Sequence, residues 1–342
     1  MFNIIKIFLI FIFFLVKNLV KKHPMKIRIA IVIILFTILI YNVSISEIGA
    51  AFKQARPWYL FYAIILMIPN LLMQFFKWHF LLVKNLNPRP SFKTAVISVL
   101  GGFFLGASTP GRTGELARGF LIPGHSKIKT ASLTIVDKGF NQLITYLFGL
   151  TALSFVIPWP FSLIPVAVGI LIITILLNIH RTRPFIEKLV KKFHRFTKSE
   201  VSEKIDNALA AFDALSAGTV LGMLAYSIPF YFIYTFQFYC IIRCYTNLSL
   251  ILAMKTIPLI YFINIMLPIA IGNFGVKEMA SVHVLGPFGI DGGPAFSSSL
   301  TQNVITFLVP SIIGGIVFTF YRPRLKQEAS SSDDRKVLVS EK

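Results

Sequence analysis

A group of ionisable side chains stands among glycines in the first half of the chain. Residues 110–115 read PGRTGE, and Arg118 follows about one helical turn later. Glycines allow a sharp turn and let a ligand approach backbone N–H groups. The planar fork of an arginine suits a phosphate, and a glutamate suits an ammonium group, a proton or an arginine. The segment therefore predicts a site for an anion or a zwitterion, unless Arg112 and Glu115 merely neutralise each other in a loop. The candidate residues are Pro110, Gly111, Arg112, Gly114, Glu115 and Arg118.

A second segment offers the same ingredients in the other half of the chain. Residues 267–278 read LPIAIGNFGVKE, with a basic residue and a glutamate directly after a glycine-rich break. This segment predicts a weaker version of the same site, with Gly272, Gly275, Lys277 and Glu278 as its candidates. An external turn that carries a surface ion pair is an equally good interpretation.

Asp137 and Lys138 interrupt an otherwise apolar helical segment and are candidates as well. Neighbouring residues on a helix point about 100° apart, so the two charges need separate partners. Because an unpaired charge in an apolar environment is costly, we expect one of them to lie within ion-pair reach of Arg112, Glu115 or Glu278. The two residues then either tether their helix or contact a ligand directly.

Signatures of common catalytic and nucleotide-binding sites are absent from the sequence. It contains no Walker loop, HExxH zinc motif or GxSxG nucleophile elbow. Cys240 and Cys244 are four positions apart, where a disulfide would be strained, and no His or acid nearby completes a metal site. We therefore expect two buried thiols, no cofactor, no metal and no enzymatic activity.

The candidate residues lie between long apolar runs. The chain is 55% hydrophobic and 14% charged, whereas a soluble domain carries about 25% charged residues. A membrane-spanning helix needs about 20 mostly apolar residues, and outer-membrane strands would alternate instead. The sequence therefore predicts an all-α, polytopic helical membrane protein. The clearest runs are 27–41, 58–83, 143–156, 161–179, 221–242 and 298–321.

Basic residues fill the gaps between these runs and indicate the topology. The chain has 34 Lys and Arg against 14 Asp and Glu, a net charge of +20. The positive-inside rule places residues 17–28, 84–93, 181–204 and the C-terminus in the cytoplasm. We predict a multi-pass protein of the inner (cytoplasmic) membrane. The positive charge fits an anionic membrane surface, and no nucleic-acid-binding motif is present.

Two stretches fit this topology only if each crosses the membrane an even number of times. Residues 94–122 must begin and end in the cytoplasm, and residues 250–293 must begin and end outside. Gly, Pro and charge break both stretches, and such backbone survives only when buried in protein or facing a watery cavity. We predict two broken or re-entrant hairpins among roughly seven to nine membrane segments. Their opposite entry is typical of inverted repeats.

The domain boundaries follow from the same features. A basic cytoplasmic linker separates two halves of one transmembrane domain, and its helix either lies on the anionic leaflet or is solvated. An apolar extension precedes the domain, and a disordered tail follows it. The predicted ranges are 1–24 for the extension, 25–321 for the domain, about 25–180 and 218–321 for its halves, 181–217 for the linker and 322–342 for the tail.

The two motifs resemble those of the lysylphosphatidylglycerol synthase transmembrane-region family, also called flippase-like membrane proteins. Residues 109–115 with Arg118 resemble its first signature, and residues 267–278 resemble a later motif in which Gly-Gly-x-Gly-x-Arg-Glu is common. The resemblance extends from about Met25 to Tyr321.

This sequence departs from the family pattern at three places. Asn273 and Lys277 replace the common Gly and Arg of the later motif, and Asp137-Lys138 stands where the family often has Glu-Arg. Both lysines keep the positive charge but lose the arginine fork.

The resemblance implies a helical domain that, in the best-known relatives, moves an aminoacylated phospholipid between leaflets. Those relatives add a soluble domain that transfers lysine from tRNA, for which the residues after Tyr321 are too few. We therefore expect a translocator of a phospholipid or lipid-linked substrate. Arg112 and Arg118 would hold phosphate, and Glu115 and Glu278 an amine or a coupling proton. The alternatives are a membrane-embedded enzyme or accessory subunit in lipid or lipid-linked glycan metabolism, and a scaffold that recruits partners.

Overall fold

A computed structural model describes residues 45–107, 109–177, 216–267 and 275–320. These residues are helical apart from short connections, and no β-strand occurs among them, which confirms the predicted all-α fold. The predicted extension 1–24, nearly all of the linker 181–217, the tail 322–342 and Gly272 lie outside the described residues.

The helices, in chain order, are α1 Ile45–Lys53, α2 Pro57–Asn85, α3 Phe92–Ala107, the 3-10 helix Pro110–Leu121, α4 Lys127–Ser154, α5 Leu163–Leu177, α6 Ala217–Tyr245, α7 Leu250–Met266, α8 Val276–Leu285 and α9 Gly292–Phe320. A short 3-10 turn, Gly286–Phe288, follows α8. A π-helical turn, Val304–Leu308, lies within α9.

Helices α2, α6 and α9 are long and apolar enough to cross a membrane. Each has 29 residues, and such a helix is about 43 Å long, more than the roughly 30 Å of a hydrocarbon core. α2 and α6 pack antiparallel. Two hydrogen bonds show this direction: the Gln237 amide donates to the Ala63 carbonyl (2.7 Å), and Arg243 donates to the Tyr59 hydroxyl (2.9 Å). Many large apolar side chains of these helices are exposed on the outer surface, as expected of helices that face lipid.

The first hairpin, residues 92–121, consists of α3 and the 3-10 helix. The two run antiparallel. Near one end, the Ser98 hydroxyl donates to the carbonyl of Arg118 (2.8 Å). Near the turn, the Thr109 hydroxyl accepts the N–H of Gly114 (2.6 Å) and donates to the carbonyl of Leu105 (3.1 Å). The 16 residues of α3 span about 24 Å, too short to cross the hydrocarbon. The structure thus contains the predicted hairpin, while the position of both its ends on the cytoplasmic side of the membrane stays a prediction.

The second hairpin, residues 250–285, consists of α7 and α8, which pack against each other. α7 has 17 residues and α8 has 10, which correspond to about 26 Å and 15 Å. Gly275 precedes α8 with a φ of 93°, a conformation that favours glycine. The contact between α7 and α8 agrees with a hairpin here, while its place in the membrane and the inverted-repeat relation stay predictions.

Helix α9 joins the two hairpins. Before its π-helical turn, the Asn303 amide donates to the carboxylate of Glu278 in α8 (2.7 Å). After the turn, the Ser311 hydroxyl donates to the carbonyl of Phe103 in α3 (3.1 Å). A Cβ at Gly314 would overlap the carbonyl of Leu100, so α9 lies directly against α3. π-helical turns are rare in proteins but frequent at functional sites. This one lies between the contacts that α9 makes with the two hairpins.

Candidate functional site

Six charged side chains meet between α2, the first hairpin and α4. This charged cluster consists of Lys77, Arg112, Glu115, Arg118, Asp137 and Lys138. Lys77, Asp137, Arg118 and Glu115 are only 1–5% exposed. Asp137 lies ten residues, about 15 Å, into α4. The cluster is therefore a set of charges buried inside the helix bundle.

Each carboxylate of the charged cluster has two cationic partners. Asp137 Oδ1 lies 3.1 Å from Lys77 Nζ, and Asp137 Oδ2 accepts from Arg118. Glu115 Oε1 accepts from Arg112, and Glu115 Oε2 accepts from Lys138. The neighbouring Asp137 and Lys138 thus have separate partners, as predicted. The ion pair of Lys138 with Glu115 confirms that one of the two lies within reach of Arg112, Glu115 or Glu278.

Aromatic rings cover both arginines. The guanidinium carbon of Arg118 lies 4.3 Å from the centre of the Trp78 ring, and that of Arg112 lies 3.9 Å from the centre of the Phe307 ring. The Trp78 indole donates to the Ser98 hydroxyl (3.2 Å), which fixes its plane. A desolvated cation–π contact contributes about 2 kcal/mol and requires a defined guanidinium orientation. Both donor forks are therefore pre-oriented.

Two glycines of α3 make room for the charged residues of the 3-10 helix. A Cβ at Gly106 would stand 2.6 Å from Cγ of Glu115, and a Cβ at Gly102 would stand 2.9 Å from Cβ of Arg118. Neither distance is a normal contact between carbon atoms. The close approach of these helices therefore places Glu115 and Arg118 in the interior.

The backbone of the PGRTGE segment differs from the expectation. Pro110 and Gly111 begin the 3-10 helix, but it is Arg112 that has a left-handed φ of 57°. Such a conformation is uncommon for a residue with a side chain and is enriched at functional sites. The N–H of Gly114 is bonded to Thr109 and is not free for a ligand. A Cβ at Gly114 would overlap the carbonyl of Leu105, so this glycine serves the packing of the break.

The charged cluster carries an excess of positive charge. Its four cations face two carboxylates, which gives a net charge of +2. Among the side chains that the structure describes, the remaining carboxylates are Glu278, which adjoins Lys277, and Asp291, which is exposed at the start of α9. Excess charge that is buried away from water costs several kcal/mol unless a counter-charge is present. The cluster is thus electrostatically suited to an anion.

A crevice beside the charged cluster reaches its most buried arginine. It is partly open to the outside and too narrow to admit a water molecule, and its lining includes Gln74, Gly102, Phe103, Glu115, Arg118 and Lys138. Within the described part of the chain, Nε of Arg118 is buried without a hydrogen-bond partner. The side chains of Arg112 and Lys138 are 24% and 29% exposed. Binding of an anion among these three cations would therefore require the crevice to widen.

The second hairpin holds a separate buried pair, Lys277 and Glu278. Asn303 bridges them, since its oxygen accepts from Lys277 Nζ (3.3 Å) and its amide donates to Glu278 (2.7 Å). The other oxygen of Glu278 accepts the N–H of Gly275 (2.7 Å). Lys277 Nζ lies 4.9 Å from the centre of the Phe238 ring, and both charged residues are at most 1% exposed. The surface ion pair considered for this segment is therefore excluded.

The structure divides the sequence candidates into these two groups. Arg112, Glu115, Arg118, Asp137 and Lys138 meet in the charged cluster, whereas Gly275, Lys277 and Glu278 form the second group. Within the described residues, no ion pair joins Glu278 to the charged cluster.

Several important residues are not among the sequence candidates. Lys77 is the clearest, since a lone lysine in an apolar run is itself a signal of function. Gly102 and Gly106 have the GxxxG spacing of close helix packing in membranes. Asn303 is an amide in an apolar run, where polar side chains bond between helices.

The two cysteines are free and buried, as predicted.

The comparisons with known proteins agree with the fold. The family model described as "Lysylphosphatidylglycerol synthase TM region" matches residues 25–314, which includes both hairpins and confirms the suspected family. No curated protein and no solved structure matches the chain. The family name connects the chain to lipid metabolism at the membrane. With a helical membrane fold and a match over most of its length, this chain belongs to the lysylphosphatidylglycerol synthase transmembrane-region family of integral membrane proteins.

Proposed function

We propose that this chain is a lipid translocator of the inner (cytoplasmic) membrane with a cytoplasmic C-terminus, and that the charged cluster binds the phosphate of a phospholipid or lipid-linked head group. The observation that carries the proposal is the net charge of +2 buried inside the helix bundle. Lipid phosphate is the abundant anion of a membrane, and its charge would compensate this excess. The family match supports a role with lipids.

The donors of the cluster divide into binding and supporting groups. Arg112 and Lys138 are partly exposed, and Nε of Arg118 is unpartnered, so these three cations hold the phosphate in our proposal. Lys77 lies deeper and serves Asp137, which orients Arg118.

The carboxylates play a different part from the one that the resemblance implies. Both oxygens of Glu115 are already paired with cations, so Glu115 positions Arg112 and Lys138 instead of holding an amine. Glu278 bonds to Asn303 and Gly275, so we assign the second hairpin to support of the break. Neither catalysis nor a cofactor is part of the proposal.

Arg112 variants test the proposal. Each variant is reconstituted in proteoliposomes with a head-group-labelled phospholipid, and translocation is followed by chemical quenching of the label in the outer leaflet. Arg112→Lys keeps the charge but loses the fork, so we expect translocation at least about tenfold slower, and Arg112→Ala slower still. The matched control is Arg56→Lys, because Arg56 is exposed just before α2, away from the cluster, and its side chain donates to Asn247. Wild-type rates in both Arg112 variants, with normal insertion, would show that the cluster is structural.

A further inference from the structure

The polar segment of α4 forms two stripes along the helix. Asp137 and Asn141 are four residues apart and so lie on one face, and Lys138 and Gln142 lie in the same way on the next face. The first stripe is paired with α2. Asp137 forms an ion pair with Lys77, and the side-chain oxygen of Asn141 accepts from the same ammonium group. The first stripe therefore holds α4 against α2.

The second stripe is accessible and only partly paired. The ammonium group of Lys138 donates to Glu115, and the side chain of Lys138 is 29% exposed. Gln142 is exposed near the middle of α4. Among the residues that the structure describes, the amide of Gln142 has no hydrogen-bond partner. Because a glutamine in a membrane protein usually bonds to a neighbouring helix, this free amide is available for a ligand.

Gln142 lies next to the proposed phosphate site. Side chains four residues apart on a helix have Cβ atoms about 5–6 Å from each other, and Lys138 is one of the cations that hold the phosphate in our proposal. Lys138 also lines the crevice, whereas Gln142 lies outside the lining. A head group whose phosphate contacts Lys138 would therefore extend past Gln142 on the accessible side of α4.

An amide selects its partner by hydrogen bonding and not by charge. Its oxygen accepts and its nitrogen donates, so a hydroxyl group, which does both, complements it. The cations of the charged cluster attract any phosphodiester equally, because each phosphodiester carries one negative charge. A neighbouring amide can distinguish between phosphodiesters by what is attached beyond the phosphate.

We propose that Gln142 is a specificity-determining residue for the head group, and that its amide binds a hydroxyl group beyond the phosphate. The chemical class is a phospholipid or lipid-linked phosphate whose head group carries a polyol or a sugar. This inference rests on the proposed phosphate site and adds a contact on the side of α4 that the ion pairs leave free.

Two phospholipids of equal charge test the inference. Dioleoylphosphatidylglycerol carries hydroxyl groups beyond the phosphate, and dioleoylphosphatidylmethanol carries none. Native mass spectrometry of the purified full chain in mild detergent measures the binding of each. We expect the wild-type chain to bind phosphatidylglycerol about two- to tenfold more tightly, the effect of one hydrogen bond. Gln142→Met keeps a long unbranched side chain but loses the amide, so the ratio of the two affinities should fall to about one.

The matched control is Gln54→Met, the same substitution at an exposed glutamine just after α1, which should keep the wild-type ratio. Equal or weaker binding of phosphatidylglycerol to the wild-type chain, or an unchanged ratio in Gln142→Met, would overturn the inference. If Arg112→Lys still weakens the binding of both lipids, the proposed function stands without it. If Arg112→Lys weakens neither, the phosphate site is wrong as well. A change of oligomeric mass in Gln142→Met with an unchanged ratio would assign the amide to a second copy of the chain instead.

Discussion

The two broken hairpins contain the same kinds of residue but differ in net charge and in exposure. Each has a glycine-rich break followed by a cation and a glutamate. In the first hairpin, Glu115 joins a cluster with a net charge of +2 and two partly exposed cations. In the second, Lys277 and Glu278 are sealed, bridged by Asn303 and neutral in sum. A break with ionisable residues is therefore not enough to make a site.

The difference arises from the helices that pack against each break. Helices α2 and α4 contribute Lys77 and Lys138 to the first hairpin, but only one carboxylate, that of Asp137. Helix α9 contributes an uncharged amide, Asn303, to the second, together with aromatic neighbours from α6. We infer that the first hairpin binds ligand and that the second stabilises the fold. The following variants test this division.

Removing the charge of Asp137 should have the largest effect on stability. Asp137→Asn leaves Lys77 and Arg118 buried without a counter-charge and raises the net charge to +3, so we expect about 3–5 kcal/mol lower unfolding free energy. Unfolding by SDS in mixed micelles measures this loss. The control is Asp291→Asn, an exposed carboxyl that should change the unfolding free energy by less than about 0.5 kcal/mol. Equal effects of the two variants would contradict the buried pairing.

Paired replacements in the second hairpin should distinguish a structural pair from a ligand site. Glu278→Gln alone leaves Lys277 unpaired and should cost about 2–4 kcal/mol of unfolding free energy. The double variant Lys277→Met with Glu278→Gln removes both charges, and Met suits the aromatic surroundings, so most of the loss should be recovered. The same double variant should keep lipid binding. Loss of lipid binding in a stable double variant would assign a ligand to the second hairpin as well.

Filling the space between α3 and the 3-10 helix should have a smaller effect, confined to the first hairpin. Gly106→Ala places a methyl group against Glu115 and should cost about 1–3 kcal/mol of unfolding free energy. Gly139→Ala in α4 is the control, because its Cβ would meet nothing within 4 Å; it should be neutral or stabilise by up to about 1 kcal/mol. Similar values for the two variants would show that the helices are less closely packed than described.

The sequence contains enough information for the elements of the site but not for the exact pairing of its charges. The breaks and the flanking lysines predict the hairpins, and the cost of a buried charge predicts that Asp137 or Lys138 contacts Arg112, Glu115 or Glu278. The ion pair between Lys77 and Asp137 depends on the register of α2 against α4. The apolar periodicity of the sequence does not determine that register. The bridging role of Asn303 depends likewise on where α9 crosses the second break.

The most direct measurement of the central claim is to locate a bound head group. The full chain in lipid nanodiscs would receive a phospholipid with a photoactivatable group on its head, and the adducts would be mapped by peptide mass spectrometry. We predict adducts in residues 98–120 and near Gln74, lost in Arg112→Lys and unchanged in Arg56→Lys. Adducts confined to the membrane surface, or found at residues 276–285 and indifferent to Arg112→Lys, would contradict the account.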